Sequence, residues 1–439
     1  MVDRSLLVPG CSLAGLATLA ALVFLYEPAA LATLPPQSVE SRAIESPVTV
    51  TQSRGGRPSD AVQATARGGR EFALDLYRLL AAQGDGNLCY SPHSVRTALA
   101  LAYAGADGTT RDEMAAALHL SLSPVEQHAA LAELSRAVAS AARRSGAQWH
   151  EANRLWVQAG LPLQPEYLSL LRSHYDAAPA TVDFERDSEA ARGAINAWVA
   201  EQTSQKIAQL LAPDSLAADT RLVLTNAVYF HAEWDAPFDK KWTRDADFNL
   251  ADGQQVPVRM MHRWAKFGYA EDERVQVLEI AYRRGTMSML VVLPKDGAEL
   301  PALERQLDNE QLEAWTAALR ERDVQVFLPR AKVSGDWQLA EVLAALGMPT
   351  AFSDAADFSG ITPGRDLLLS RVVHQAVVEI NEEGTEAAAS TAVGLAPTSA
   401  PLEEEPAPVF RADHPFVVLV RDNATGALLF VARVADPRG

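Results

Sequence analysis

Two rhythms of apolar residues run along the chain. Phe72, Leu76, Leu79 and Leu80 recur every three to four positions and predict a helix at the start of the body. Asn87-Leu88-Cys89-Tyr90 is a short apolar run that reads as a buried strand. Ser91-Pro92 stops it and caps a helix carrying Val95, Leu99 and Tyr103. Residues 110–118 and 126–142 have the helical period, as does 190–211, with Ile195, Trp198, Val199 and Ile207 on one side. Strands are predicted over 153–157, 222–230, 276–281, 288–293 and 323–329. Helices and strands mix without a regular βαβ alternation, so the class is α+β with large sheets. No internal repeat is visible.

The chain has 439 residues, enough for one large domain or two medium ones. Its 39 Lys and Arg against 56 Asp and Glu give a net charge of −17, which argues against general nucleic-acid binding. Cys11 and Cys89 are too few for a disulfide scaffold or a Cys-based zinc site. Residues 5–26 form a charge-free stretch of 22, followed by Ala30-Leu31-Ala32, a small-residue cleavage pattern. Residues 1–32 therefore read as a secretory signal, with an uncleaved membrane anchor through 5–26 as the alternative. Secretion or an extracytoplasmic location follows, and contact with a membrane only if the segment is kept. From 33 to 67, Pro35-Pro36, Pro47, Gly55-Gly56 and Pro58 break any period and predict a flexible tether. The body is then 68–439.

The sequence holds no Gly-x-Ser-x-Gly elbow, no His-Glu-x-x-His, no phosphate loop and no dinucleotide fingerprint. Its nine histidines are scattered. The chain is expected not to be an enzyme and to need neither cofactor nor metal.

The informative segment lies near the C-terminus. Val377-Val378-Glu379-Ile380 reads as a strand that Asn381-Glu382-Glu383-Gly384-Thr385 ends. From Glu382 to Pro408 there are six acidic residues and no basic one. A loop of this length inside a compact domain is uncommon and usually functional. Within it, Thr385, Ala387, Ala389, Thr391, Val393 and Leu395 alternate with Glu386 and Ser390, and no proline falls between Gly384 and Ala396. That is the pattern of a half-buried strand written into a loop. An Ala-rich linker is the plainer reading of the same residues.

Several blocks together resemble the serpin family over residues 68–439. Glu379-Ile380-Asn381-Glu382-Glu383-Gly384-Thr385-Glu386-Ala387-Ala388-Ala389 is similar to the serpin reactive-loop hinge, and Phe410-Arg411-Ala412-Asp413-His414-Pro415-Phe416 to the C-terminal signature. Asn87 to Ser94, Thr225-Asn226-Ala227-Val228-Tyr229-Phe230, Trp234 with Pro237-Phe238, and Asp357-Phe358-Ser359-Gly360 match further blocks in family order. The resemblance implies three β-sheets, about nine helices and an exposed reactive-centre loop at about 382–408.

It further implies a monomer that inhibits a serine-type endopeptidase as a suicide substrate. The protease cuts the loop, forms an acyl-enzyme and is carried along as the cut loop inserts into the central sheet; serpin insertion is itself the standard physical example of this switch. By match, the hinge is Glu382, Gly384, Thr385, Ala387, Ala388 and Ala389, and the shutter is Ser91, Ser94, Asn226 and His374. The breach is Trp234 and Arg330, with Glu382 as Arg330's expected ion-pair partner. Counting sixteen positions from Glu382 puts the reactive bond at Thr398-Ser399, with Leu402-Glu403 as the alternative. A Thr or Ala at the cut suits an elastase- or subtilisin-like protease, and Leu402 a chymotrypsin-like one. A non-inhibitory carrier or chaperone, or an inhibitor of cysteine proteases, are the other readings. The small hinge residues disfavour the first. Asn423-Ala424-Thr425 is a glycosylation sequon whose use depends on the host.

Overall fold

The first helix starts earlier than the apolar rhythm predicts. In the computed structural model, which describes residues 58–385 and 406–439, α1 (Asp60–Ala81) begins inside the stretch read as tether. The Ser59 side chain accepts from the Val62 amide and caps it. Gly68 and Gly69 lie within this helix. Gly68 sits where a Cβ would come 2.2 Å from the His119 carbonyl oxygen, so the glycine serves close packing inside the helix. The folded body therefore begins by residue 60 and not at 68. Residues 1–57 and 386–405, with Ala387, Ala388, Ala389, Thr398, Ser399, Leu402 and Glu403, lie outside the described residues.

After α1 come β1 (Leu88–Tyr90), α2 (Pro92–Tyr103), α3 (Gly108–Ala117), α4 (Pro124–Ser145), β2 (Gln148–Gln158), α5 (Pro165–Tyr175), β3 (Ala180–Val182) and α6 (Ser188–Gln202). The predicted 190–211 helix stops at Gln202. Ser204 and Gln205 take positive φ, and Thr203 Oγ1 donates to the Val199 carbonyl and accepts from the Ile207 amide. The Asn196 side chain then ties the Leu210 and Leu211 amides back onto α6. Ile207 and Leu211 stay buried on a folded-back loop, which prolongs the apolar rhythm past the helix itself.

β4 (Leu222–Glu233), β5 (Arg244–Asn249), β6 (Gln255–Glu271), β7 (Val275–Ala281) and β8 (Met287–Pro294) follow. Next are α7 (Leu300–Gln306), α8 (Asn309–Ala318), β9 (Arg320–Pro329), β10 (Ala331–Gln338), α9 (Ala340–Ala345) and β11 (Arg371–Ile380). The chain closes with β12 (Gly384–Thr385), β13 (Val409–Arg411), β14 (Phe416–Asp422) and β15 (Leu428–Val434).

The strands form two hydrogen-bonded networks. One has the order β10-β11-β4-β2-β3, with β12 beside β4. The other runs β1-β15-β14-β8-β7-β6-β9-β13, with β5 on β6. The 17-residue β6 pairs with β5 and β9 along most of its length and with β7 at its end, so it joins two sheets of the implied three into one ladder. All twelve residues of α2 are buried, and the helix packs against β2, β4 and β15. The six-stranded sheet is thus covered on its inner face. α6 covers the lower part of its outer face through Ile195 and Val199, which cluster with Val223, Ala227 and Val373.

Candidate functional site: the seam between β11 and β4

β10 and β11 are antiparallel, and so are β4 and β2, but β11 and β4 run parallel. Their seven pairs extend from Arg371–Val223 to Val377–Tyr229 and stop there. Above Val377 the two strands part, and the hinge sits at the mouth. Asn381 turns the chain: its amide donates to the Gly384 carbonyl (2.9 Å), and its side-chain oxygen accepts from the Glu383 and Gly384 amides. Gly384 has φ +153°, and a Cβ there would lie 2.1 Å from the Ala232 carbonyl oxygen, so only glycine fits. The reversed chain then pairs antiparallel with β4, Gly384 opposite Glu233 and Thr385 opposite Ala232.

Side chains fasten this turn. Trp234 is buried, stacks on Tyr282 with ring centres 4.8 Å apart, and donates its indole N–H to the Asn381 carbonyl (2.9 Å). The Trp234 and Phe238 amides donate to the Glu383 and Glu382 carbonyls. Glu382 Oε1 accepts from Arg330 Nε (2.9 Å), Arg330 Nη2 (2.6 Å) and Thr243 Oγ1 (2.5 Å). Burial acts to raise the Glu382 carboxyl, and the hydrogen bonds from Arg330 and Thr243 outweigh it, so the group is held below its ordinary value. Lys240 Nζ reaches Glu383 Oε1 at 2.5 Å. Glu383 Oε2 is buried and has no hydrogen-bond partner among the described residues.

Lower down, a buried polar cluster lies beneath the parallel pair. His374 and Asn226 are register partners across it. The Ser91 amide donates to His374 Nε2 (2.9 Å), which fixes the proton on Nδ1, facing Asn226 Oδ1. Asn226 Nδ2 then donates to Ser94 Oγ (2.6 Å) and to Asn153 Oδ1. Ser91 also accepts from the Ser94 amide as the α2 cap. Burial pushes the His374 ring down to about 3, so it is neutral at physiological pH.

The structure thus brings Ser91, Ser94, Asn226 and His374 into one network, and Trp234, Arg330 and Glu382 into another at the mouth. Sequence reading missed Asn153, Thr243, Lys240 and Asn381. Asn153 could have been found only from the β2–β4 register, which places it opposite Asn226. Asn381-x-x-Gly384 carried a visible turn signal. Thr243 and Lys240 carried none. Cys89 is buried, and burial pushes its thiol well up, so it is not a reactive group. Among the described residues no cluster of His, Cys, Asp and Glu is arranged to hold a metal. What the seam offers is mechanical. It is a parallel ladder at its base and open at its top, with a strand already started in the antiparallel sense.

Comparison with known proteins agrees with this geometry. The family model described as Serpin (serine protease inhibitor) matches residues 67–437. An uncharacterized serpin-like protein of Thermococcus kodakarensis is 38% identical over 369 residues, 84% of each chain. The leukocyte elastase inhibitor of Bos taurus is 39% identical over 378 residues, 83% of this chain and 97% of that one. Among solved structures, uncleaved ovalbumin superposes with a TM-score of 0.76 at 30% identity, covering 85% of this chain and all of the other. Human thyroxine-binding globulin gives 0.77 at 30% identity, with 86% and 99% covered.

Proposed function

This chain belongs to the serpin family, and on that premise we propose that it is an inhibitory member, a suicide substrate that traps a serine protease as an acyl-enzyme. The observation that carries this reading is the register of β12. If the chain continued from Thr385 in the pairing that β12 has begun, Leu395 would fall opposite Leu222, the first residue of β4. The inserted strand would then place Thr385, Ala387, Ala389, Thr391, Val393 and Leu395 beside Ala232, Phe230, Val228, Asn226, Leu224 and Leu222. Each of those six β4 residues is at most 1% exposed. The small-and-apolar alternation written in the loop therefore meets the row of β4 that stays buried along its whole length, whereas the other row opens to partial exposure at His231 and Glu233.

Insertion would replace one parallel ladder by two antiparallel ones, which pair slightly better per residue. Some twelve added residues at roughly 1 kcal/mol net each give a driving force on the order of 10 kcal/mol, before side-chain burial. At about 3.4 Å per residue the strand would run roughly 40 Å. A protease joined at Thr398 would thus be hauled to the end of the sheet remote from the hinge. Distortion of its oxyanion geometry there would stall deacylation. The parent network at Asn226 and His374 would have to part and re-pair around Thr391, which suits a cluster of buried polar groups better than an apolar core.

Thr398-Ser399 is the proposed reactive bond, with Leu402-Glu403 as the alternative. An elastase- or subtilisin-like target is favoured by the Ala and Thr content of the loop and by the relative named as an elastase inhibitor. The charge-free 5–26 segment supports export, which N-terminal sequencing of the mature protein would test. The functional test is incubation with serine and cysteine proteases. An SDS-stable complex with a serine protease is expected. Clipping of the loop with full protease activity retained would overturn the reading, and complexes with cysteine proteases alone would redirect it.

A further inference from the structure

Among the described residues, Val125, Trp242, Trp264 and Val409 are the large apolar side chains that stand well out in solvent. Three of these four gather on the outer face of β6, β9 and β13. Register places Trp264, Gln325 and Val409 in one row across the three strands, and His262, Phe327 and Arg411 in the next. Val324, Val326 and Leu328 alternate with them and point into the core. The face is braced. His262 stacks on Phe327 with ring centres 4.5 Å apart, and the Arg411 guanidinium lies 4.2 Å from the Phe327 ring centre. Trp242 packs edge-on to His262, and Gln325 Nε2 is 3.2 Å from His262 Nε2. Trp264 and Trp242 remain 68% and 59% exposed. Two exposed tryptophans beside an ordered arginine have the composition of an interface hot spot, not of an ordinary surface.

We propose that this face is a docking surface for the body of the target protease, on the side of its cleft that holds the leaving-group half of the loop. The proposal rests on the inhibitor reading above. The position of the face argues for this occupant. The Gln325 amide holds the Pro408 carbonyl and Gln276 Nε2 the Val409 carbonyl, both at 3.0 Å, so the C-terminal foot of the loop is fastened here. Thr398 precedes Val409 by eleven residues and Leu402 by seven, spans of at most about 37 and about 24 Å. A protease domain of about 220 residues is roughly 44 Å across. Its half-width of about 22 Å nearly equals the Leu402 span, and it reaches the foot from Thr398 wherever those eleven residues run at less than about three-fifths of full extension, which brings the protease body over the tryptophans. The matching patch on the protease is apolar, with a carboxylate to meet Arg411.

The test is the second-order association rate constant of the Trp242→Ser, Trp264→Ser double variant with a protease that the parent traps. A fall of about tenfold or more is expected, with stoichiometry of inhibition and melting temperature unchanged. Val125→Ser, on α4 and off this face, should leave the rate alone. Should the double variant melt lower, Trp264→Gln alone decides by the same readout. An unchanged association rate overturns the proposal. If the rate is unchanged but a parent dimer is lost in the variant, the occupant is a second copy. If instead binding to anionic vesicles is lost, it is a lipid surface. If the parent traps no protease, the inhibitor reading fails first and this proposal falls with it.

Discussion

β14 and β11 are both central strands, and they are held in opposite ways. β14 has antiparallel partners on both sides, β15 and β8, and Val417, Val418, Leu419 and Val420 are fully buried along it. Both of its edges are already paired, and the buried Arg433 opposite Val417 is tied to Glu304. β11 has an antiparallel partner on one side only. On the other it meets β4 in parallel, over a rung made of His374 and Asn226, and leaves the strand tops apart with the hinge between them. The first arrangement is complete. On the proposed reading the second still has a ladder to gain, across a rung of buried polar groups that can re-pair. Composition alone does not separate the two strands. Direction of pairing and the chemistry of one rung do.

The largest way to sharpen this contrast is to cut the loop. Cleavage near Thr398 should let the seam fill, and the added ladder of roughly 10 kcal/mol should raise the melting temperature by about 12 °C for a domain of this size, and further with side-chain burial. Equal melting curves before and after cutting would mean the seam is as complete as β14.

Next comes the face of the entering strand. In that strand residue 385 shares the side of Ala232, which is fully buried. Thr385→Arg would put an unpaired cation there at the first step of insertion, at a cost of several kcal/mol. Deacylation should then outrun insertion, and the stoichiometry of inhibition should rise from near one to about ten or more. Glu386→Arg, opposite the partly exposed His231, should change it about twofold at most. The reverse order would put the facing wrong.

A smaller effect is expected at the latch. His374→Leu leaves the Ser91 amide and the Asn226 oxygen without partners, costing about 2–5 kcal/mol. The pH dependence follows from the ring's depressed value of about 3. Unfolding lets the ring take a proton near pH 6.5, so the parent loses His374's share of stability as pH falls below about 6.5. From pH 7 to pH 5 that share is about 2 kcal/mol. The gap between parent and variant in denaturant melts should therefore narrow by that amount. A gap that does not change with pH would mean His374 is not held neutral.

Much of this was legible beforehand, for reasons that differ by residue. The loop's alternation is readable because a period of two is the mark of a strand, but residues 386–395, which carry it, lie outside the described residues. Arg330 and Glu382 were paired correctly only through resemblance, since 52 residues separate them and no periodicity links them. Asn153 escaped because its role comes from register, which a single strand's sequence does not encode. The 190–211 helix was overread because a loop packed back on α6 buries Ile207 and Leu211 just as a further turn would. α1 was underread because the residues before Phe72 carry few large apolar side chains to mark the period, although Val62 and Ala66 are buried there. Trp264 was visible as a residue, but its exposure was not, because an outward tryptophan runs against the rule that places it inside.

The most direct test of the seam is amide hydrogen exchange followed along residues 386–395, before and after cleavage of the loop. The account predicts that these amides exchange rapidly in the intact protein and become protected to the level of β4 in the cleaved one, with slower exchange along the upper halves of β4 and β11 as well. If residues 386–395 exchange as fast after cleavage as before, the loop does not enter between β11 and β4, and the mechanism proposed for this protein is wrong.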